Sequence, residues 1–284
     1  MPRGLEFVPV SKLAVPGGFE PVRRPAVPGG LASGGVWGEA PAMEIRPIGI
    51  VRSCFGGKFA VPRQPGLCPS AWGELVFEPA FRRPEALRGI EGFSHLWLIF
   101  GFHLTADGGW HPTVRPPRLG GNERVGVFAS RSTFRPNGLG LSLVRLEGSE
   151  AREKEGTVLL LGGLDLVDGT PVFDVKPYLP YAEAPAGALG GFAGEEPPRL
   201  AVSTAGAAGF DRLPERSRRV IVEALALDPR PPAGRAEAGR IHGAGLCGRE
   251  VKFRVADGVC ELLSVEPATG AGLEDRSPGS ELNT

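Results

Sequence analysis

The chain of 284 residues is long enough for two domains of ordinary size. Its 32 basic residues are balanced by 32 acidic ones, so no overall positive field marks it as a protein for long nucleic-acid duplexes. The four cysteines form no Cys-x-x-Cys pair, and no run of about eighteen apolar residues occurs, which argues against a disulfide framework and a membrane span. A soluble, reduced, cytoplasmic protein is therefore predicted.

The first 42 residues differ in composition from the rest of the chain. They are rich in Gly and Pro, repeat Val-Pro-Gly-Gly and show no sustained hydrophobic periodicity. Such a segment cannot offset the entropy that it would lose on ordering. Two alternatives remain: residues 1–42 are a disordered extension, or translation starts at Met43, immediately before folded-looking sequence begins at Glu44.

Residues 43–185 have the pattern of a β domain. Short strands are predicted at Ile45–Val51, Trp72–Phe77 and Phe93–Leu104, with a proline-rich loop at Lys58–Pro69. One side of the third strand is almost entirely apolar and the other side is mixed. This alternation favours the wall of a barrel or sandwich in which one side faces a site.

The segment Val125–Leu146 has two strand-like apolar runs, explained as core, around a polar hinge at Ser130–Asn137. Four hinge residues are predicted to share one side of an extended backbone, namely Arg131, Thr133, Arg135 and Asn137. Two guanidinium groups and an amide suit an anion and the edge of a nucleobase. Residues 111–137 contain five arginines and a single acid, which fits a compact anionic ligand or an RNA loop. The alternative is a solvent-exposed hairpin tip.

A central strand is predicted at Val158–Val167, because the run is apolar on both sides. Asp165 within it is costly to bury unpaired and is expected to meet a donor or a cation. A turn, Asp168-Gly169-Thr170-Pro171, leads to a strand at Val172–Tyr178. Asp174, Lys176 and Tyr178 lie on one side of that strand, either as functional groups or as a surface ion pair beside a tyrosine.

The remainder is predicted to form a small second unit. Residues 186–210 are assigned to an irregular linker, residues 211–267 to a small α+β domain, and residues 268–284 to a disordered tail. The domain contains an amphipathic helix at Leu213–Leu227 and a hairpin made by Val251–Val255 and Val259–Val265.

Several familiar site signatures are absent from the sequence. No P-loop motif occurs. A dinucleotide-binding fingerprint leads into a helix, whereas Gly138-Leu139-Gly140 leads into a predicted strand. His95, His103 and His111 recur at intervals of eight, but no Cys or carboxylate joins them at a usual ligand spacing. No metal site is predicted.

Four stretches together resemble the TrmO family of tRNA adenine N6-methyltransferases. They are KFAVPRQPGL (Lys58–Leu67), GFSHLWLIFGFH (Gly92–His103), the arginine-rich segment Gly108–Gly140, and GLDLVDGTPVFDVKPYLPYAE (Gly163–Glu183). The similarity extends from about Ile45 to Pro267. It implies a mainly β fold, an antiparallel single-sheet β-barrel with a small C-terminal α+β domain, and a homodimer.

The resemblance also implies an activity. The family uses S-adenosyl-L-methionine to methylate N6 of threonylcarbamoyladenosine at position 37, in the anticodon loop of certain tRNAs. Because N6 is a poor nucleophile that loses a proton, a carboxylate acceptor is expected, and the candidates are Asp168 and Asp174.

Further residues are expected to bind the two ligands. The expected cofactor contacts are Gln64, Pro65, Gly66, Leu67, His103, Leu104, Arg131, Leu141, Gly163, Leu164 and Asp165. The expected substrate contacts are Arg135, Asn137, Lys176, Tyr178 and Arg230, of which Arg135 or Lys176 would pair with the threonine carboxylate.

Two departures from the family pattern occur, of which the second leaves another substrate open. Gly138 and Leu139 stand where the family has Pro-Ile, which preserves a turn, and residues 232–235 lack the aromatic that commonly follows Asp-Pro-Arg-Pro. The alternatives are a non-catalytic nucleotide- or RNA-binding barrel and a methyltransferase that acts on another small substrate.

Overall fold

A computed structural model describes residues 44–231 and 239–268, and the side chains of Ala106 and Asp107 are not described. The predicted N-terminal extension or alternative start, residues 232–235 and the tail beyond residue 268 lie outside these described residues.

The described chain is mainly β. Its strands are β1 (Gly49–Ser53), β2 (Trp72–Phe77), β3 (His95–Gly101), β4 (Thr113–Val114), β5 (Val125–Gly126), β6 (Leu139–Arg152), β7 (Gly156–Gly162), β8 (Thr170–Pro177), β9 (Ala201–Ser203), β10 (Ile241–Leu246), β11 (Arg249–Ala256) and β12 (Val259–Pro267). Its α-helices are α1 (Pro180–Glu183) and α2 (Glu215–Ala226). Short 3₁₀ turns occupy Pro79–Phe81, Pro84–Leu87, Ile90–Gly92, His103–Gly108, Pro117–Leu119, Val127–Ala129, Gly191–Ala193 and Phe210–Arg212.

Six strands close into an antiparallel barrel in the order β1-β2-β7-β6-β3-β8. The alternation in β3 explains which side faces inward, since Leu96, Leu98 and Phe100 are buried while Trp97 and Ile99 are partly exposed. The barrel interior is filled by apolar side chains from all six strands. The predicted single-sheet antiparallel barrel is confirmed.

One end of the barrel is closed by the chain itself. Strands β7 and β8 lie on opposite sides of the ring, so the connection between them, residues 163–169, must cross the barrel end. Leu164 and Leu166 from this connection are buried in the barrel core. The strand predicted at Val158–Val167 therefore ends earlier, at Gly162, because Gly163 takes a positive φ of 67° that only glycine adopts readily.

The hinge region also differs from the prediction. Val125 and Gly126 form a two-residue strand, β5, which pairs only with β4. The chain then turns at Val127–Ala129 and runs without regular structure to β6. The apolar run 125–129 is thus not a core strand: Val127 is buried, but Phe128 beside it is exposed.

A second sheet has the order β10-β11-β12-β9 and packs against α2. The predicted helix and hairpin are confirmed, while residues 186–210, expected to be irregular, contribute β9, which runs parallel to β12. The core of this unit includes Phe55, Cys68 and Trp72 from the first part of the chain. No helix among the described residues is long and apolar enough to cross a membrane.

Candidate active site

The predicted loop Gln64–Leu67 lies against the segment that crosses the barrel end. The Gly66 N–H donates to the Gly163 carbonyl (N···O 2.9 Å), and the Gly163 N–H donates to the Ala71 carbonyl (2.8 Å). Both glycines have positive φ, and a Cβ on Gly163 would lie 3.7 Å from Gly66. Such a distance is an ordinary van der Waals contact, so glycine is favoured at both positions by the positive φ and not by lack of space.

Arg131, Gln64 and Asp165 form a polar cluster at this end of the barrel, called here the Arg131 cluster. Arg131 Nη1 donates to Gln64 Oε1, and Ser142 Oγ donates to Asp165 Oδ1. Burial raises the pKa of Asp165 to about 6, while the Ser142 hydrogen bond and the charge of Arg131 act in the opposite direction. The expectation that Asp165 would meet a donor or a cation is confirmed, since Ser142 donates to it and the charge of Arg131 acts on it.

Ser142 is a site residue that the sequence analysis missed. It is fully buried on the inward side of β6, where it faces Leu98 of β3. A buried hydroxyl on the inward side of a barrel strand needs a hydrogen-bond partner. That position was the available signal, and the partner is Asp165, 23 residues later in the chain.

The Asp168–Pro171 turn follows directly and is held by the backbone of β1. Asp168 Oδ1 accepts the Ser53 N–H (3.0 Å), and the Asp168 N–H donates to the Phe55 carbonyl (2.9 Å). The Thr170 hydroxyl donates to the Val167 carbonyl (2.6 Å). Within the described residues, no further hydrogen bond reaches the Asp168 carboxylate, so its second oxygen is available to a ligand.

His103, Leu104 and Thr105 lie beside this turn, in the 3₁₀ segment after β3. Desolvation lowers the pKa of His103, and the nearby charge of Asp168 partly offsets this effect. Leu104 is exposed. The buried Thr105 hydroxyl has no hydrogen-bond partner in residues 44–231 and 239–268, which leaves it free to bond a ligand.

A second group of predicted residues lies on the outer wall of the barrel. Ile99 on β3 pairs with Leu141 on β6 and with Asp174 on β8, so these three side chains share the outward face. Lys176 lies two residues further along β8, and its ammonium is 3.5 Å from Asp174 Oδ2. Tyr178 contacts the ring of Trp97 edge-on, with centroids 6.1 Å apart. The predicted site residues therefore fall into a barrel-end group and an outer-wall group.

Arg131 and Arg135 do not act together, contrary to the predicted common side of the hinge. Arg131 donates a hydrogen bond to Gln64. Arg135 Nη1 instead donates to the carbonyls of Ser130 (2.7 Å) and Val127 (3.2 Å), which stabilises its own loop. Asn137 is exposed at the tight turn before β6, where Gly138 has φ 58°.

Two models of known protein families match this chain. Residues 50–184 match the family model described as the tRNA-methyltransferase O N-terminal domain, and residues 200–268 match the TrmO C-terminal domain.

The chain belongs to the TrmO family.

Three bacterial proteins match this chain over nearly their whole lengths. The tRNA (adenine(37)-N6)-methyltransferase of Escherichia coli (strain K12) is 47% identical over 233 residues, which cover 80% of this chain and 99% of that protein. A protein of the same name from Eikenella corrodens is 47% identical over 63% of this chain and 99% of its own length. The crystal structure of TrmO from Pseudomonas aeruginosa superposes with a TM-score of 0.65 at 41% identity and covers 79% of this chain and 98% of that chain.

Arg230, a predicted substrate contact in the TrmO C-terminal domain, is buried and paired with a carboxylate. Arg230 is only 8% exposed, and its guanidinium forms a bidentate pair with Asp228, at 2.8 and 3.1 Å. A guanidinium that is buried and paired in this way fixes the chain after α2 and is not presented to a large ligand. We therefore do not retain Arg230 as a substrate contact.

No group of three or more His, Cys, Asp or Glu side chains in the described part of this TrmO-family chain is arranged to hold a metal ion. The polar groups of the barrel end are a guanidinium, two carboxylates, an imidazole, an amide and hydroxyls. Such a set binds ligands through hydrogen bonds and ion pairs.

Proposed function

We propose that this protein transfers a methyl group from S-adenosyl-L-methionine to N6 of threonylcarbamoyladenosine at position 37 of tRNA. The observation that carries the proposal is the relationship to the Escherichia coli tRNA (adenine(37)-N6)-methyltransferase, which extends over 99% of that protein and includes both domains. The threonylcarbamoyl group as part of the substrate is the finer element of the proposal, and it follows from the resemblance of the chain to the TrmO family.

The barrel end fits S-adenosyl-L-methionine in charge and in hydrogen-bonding capacity. That molecule has a carboxylate, which Arg131 would bind. Its ribose hydroxyls or its ammonium group would donate a hydrogen bond to Asp165. The loop Gln64–Leu67, the 3₁₀ segment at His103 and Leu104, and the Gly163–Asp165 crossing supply backbone groups around this cluster. The unpartnered Thr105 hydroxyl is one more donor.

The reaction requires alignment and a proton acceptor. S-adenosyl-L-methionine, when bound, supplies a methyl group on a positively charged sulfur, which keeps the bonding electron pair as the new N6–CH₃ bond forms. Holding the two reacting atoms in line accounts for several kcal/mol of barrier reduction. N6 loses its proton in the same conversion, and we assign the acceptor role to Asp168, whose second carboxylate oxygen is free beside the Arg131 cluster.

The substrate would be recognised partly by the outer wall. The Lys176 side chain is 63% exposed and is a better partner for the threonine carboxylate than Arg135, whose Nη1 is already bonded to two carbonyl oxygens. Asn137 and Tyr178 remain proposed substrate contacts, and Leu141 remains a proposed cofactor contact.

A homodimer would bring the two groups of residues together. Leu141 is 54% exposed on the outer wall, and it shares that face with Ile99 and Asp174. An exposed apolar face of this kind favours association with a second copy. Light scattering that gives the mass of a single chain at micromolar concentration would contradict the proposed homodimer. The proposed location of the enzyme is the cytoplasm, where its tRNA substrate is found.

Mass spectrometry of nucleosides from tRNA tests the whole proposal. Cells that carry the gene should contain N6-methylated threonylcarbamoyladenosine, and cells without it should contain only the unmethylated form. Purified protein should restore the methyl group on tRNA from the deleted strain when S-adenosyl-L-methionine is added. Equal amounts of the methylated nucleoside in both strains would contradict the proposal.

Replacing Arg131 with Ala should weaken S-adenosyl-L-methionine binding roughly 10- to 150-fold, because hydrogen bonds to charged groups contribute about 1.5–3 kcal/mol. Isothermal titration of the purified variant measures this change. The matched control is Arg124→Ala, which removes the same charge from the same stretch of chain but from a side chain that bonds Thr113. If Arg131→Ala binds within about twofold of the unmodified protein, Arg131 does not contact the cofactor.

A further inference from the structure

Phe128 is an exposed aromatic side chain held in place by a rigid loop. It is 75% exposed, although a phenylalanine is among the residues most often buried. Its neighbour Val127 is 1% exposed and anchors the turn Val127–Ala129 in the structure. The apolar ring is thus directed to solvent by a neighbour that is itself fixed.

The hydrogen bonds of this loop converge on the residue before Phe128. The Val127 N–H donates to the Pro112 carbonyl (3.0 Å), and the Val127 carbonyl accepts from the Ser130 hydroxyl (2.8 Å) and N–H (3.2 Å). Arg135 Nη1 also donates to this carbonyl and to that of Ser130. A backbone with so many partners does not rearrange freely, so the exposure of Phe128 is a built feature of the loop.

Arg135 places a positive charge beside the Phe128 ring. Its guanidinium carbon lies 5.9 Å from the centroid of the Phe128 ring, within the range of a cation–π contact. Arg124 and Arg131 lie within four residues of Phe128 in the chain and are exposed, and Glu123 is the single acid of residues 111–137. An exposed aromatic ring beside a cation, in a segment rich in exposed arginines, suits the stacking of a base and the attraction of the adjoining phosphates.

We propose that Phe128 is a stacking platform for an unpaired base of the substrate RNA, next to the nucleotide that is methylated. This inference rests on the proposed function and adds a binding residue to it. Arg131 follows Phe128 by three residues, so at most about 10 Å of chain separates the Arg131 cluster from the platform. A base stacked on Phe128 is therefore a close neighbour of the base presented at the barrel end.

A single-stranded loop, and not a duplex, is the RNA that fits. Stacking on a side chain requires a base that is free of its pairing partner, and a narrow A-form groove does not admit a phenyl ring. Stacking also tolerates any base, so Phe128 contributes affinity for the loop, while selection of the modified adenosine stays with the reacting site.

The test compares binding of tRNA and of cofactor by the full-length chain. Phe128→Ala should raise the Kd for tRNA, taken from cells that lack the gene, roughly 5- to 150-fold, as expected for the loss of one stacked base. The Kd for S-adenosyl-L-methionine should not change and the melting temperature should change little, because Phe128 is 75% exposed and only its ring contact with Arg135 is lost. Phe128→Trp should bind tRNA within about threefold of the unmodified protein, whereas Phe128→Leu, which keeps apolar surface without a π face, should behave like Ala.

The matched control is Phe81→Ala, which removes another exposed phenyl ring from a short 3₁₀ turn outside the arginine-rich loop. It should leave the affinity for tRNA unchanged. The proposal is overturned if Phe128→Ala binds tRNA as tightly as the unmodified protein. If that variant also has a different oligomeric mass, Phe128 belongs to a contact between copies of the chain. If the unmodified protein binds no tRNA, the proposed function fails and the stacking role fails with it.

Discussion

Replacing Asp168 with Asn should lower the rate of methyl transfer at saturating substrates by about 10²- to 10⁴-fold, the contribution usual for a positioned general base. The substitution retains Oδ1, which accepts the Ser53 N–H, so the turn at the barrel end should keep its shape. Only the ability to take the proton from N6 is removed. Single-turnover measurements with radiolabelled S-adenosyl-L-methionine separate this rate from binding, which should be unchanged.

Asp174→Asn is the matched control, since it makes the same substitution in the other candidate carboxylate. Asp174 is half exposed on the outer wall and paired with Lys176, so its loss should change turnover by less than about threefold. If Asp174→Asn is the inactive variant and Asp168→Asn is not, the proton acceptor lies on the outer wall. If both variants turn over normally, no carboxylate base is needed and alignment alone carries the reaction.

Replacing Asp165 with Asn should weaken cofactor binding and stabilise the fold at neutral pH. The loss of a charged acceptor should raise the Kd for S-adenosyl-L-methionine roughly 10- to 150-fold. Burial raises the pKa of Asp165 to about 6 from its usual 3.8, so the folded state resists ionisation of this group. At pH 8 the carboxylate is ionised in both states, and this resistance destabilises the fold by about 3 kcal/mol.

The sign of the pH dependence follows from the raised pKa. Below about pH 3.8 the group is protonated in both states and has no effect on stability. Between that pH and about 6 the unfolded chain loses its proton while the folded protein keeps it, so the free energy of unfolding falls as pH rises and then levels off. The advantage of Asp165→Asn over the unmodified protein should therefore be about 2 kcal/mol larger at pH 8 than at pH 4.5, measured by urea denaturation.

Ser142→Ala provides a control of opposite sign. It removes the hydroxyl that donates to Asp165, so the buried carboxylate loses a bond that stabilises its charge. This variant should be less stable than the unmodified protein at pH 8, and the difference should shrink at pH 4.5. An Asp165→Asn variant that is destabilised equally at both pH values would show that burial does not raise the pKa of Asp165.

Local patterns were sufficient for much of the fold. The apolar alternation in β3, the turn residues Asp168-Gly169 and the amphipathic helix α2 are each encoded within a few neighbouring residues, and the structure confirms all three. The short strands β9 and β10 were missed for the complementary reason. β9 has three residues and β10 contains two glycines, so neither has a strong pattern, and each exists because a neighbouring strand pairs with it.

The class of fold, the family and the residues that could carry charge and protons all follow from the amino-acid sequence. Which of these residues meet depends on the tertiary structure. Arg131 and Gln64 are 67 residues apart, and Ser142 and Asp165 are 23 apart, so their contacts depend on how the barrel closes. The same closure buries Asp165, while packing elsewhere buries Arg230 and leaves Phe128 in solvent. Burial is set by contacts between distant parts of the chain, and local sequence patterns do not contain that information.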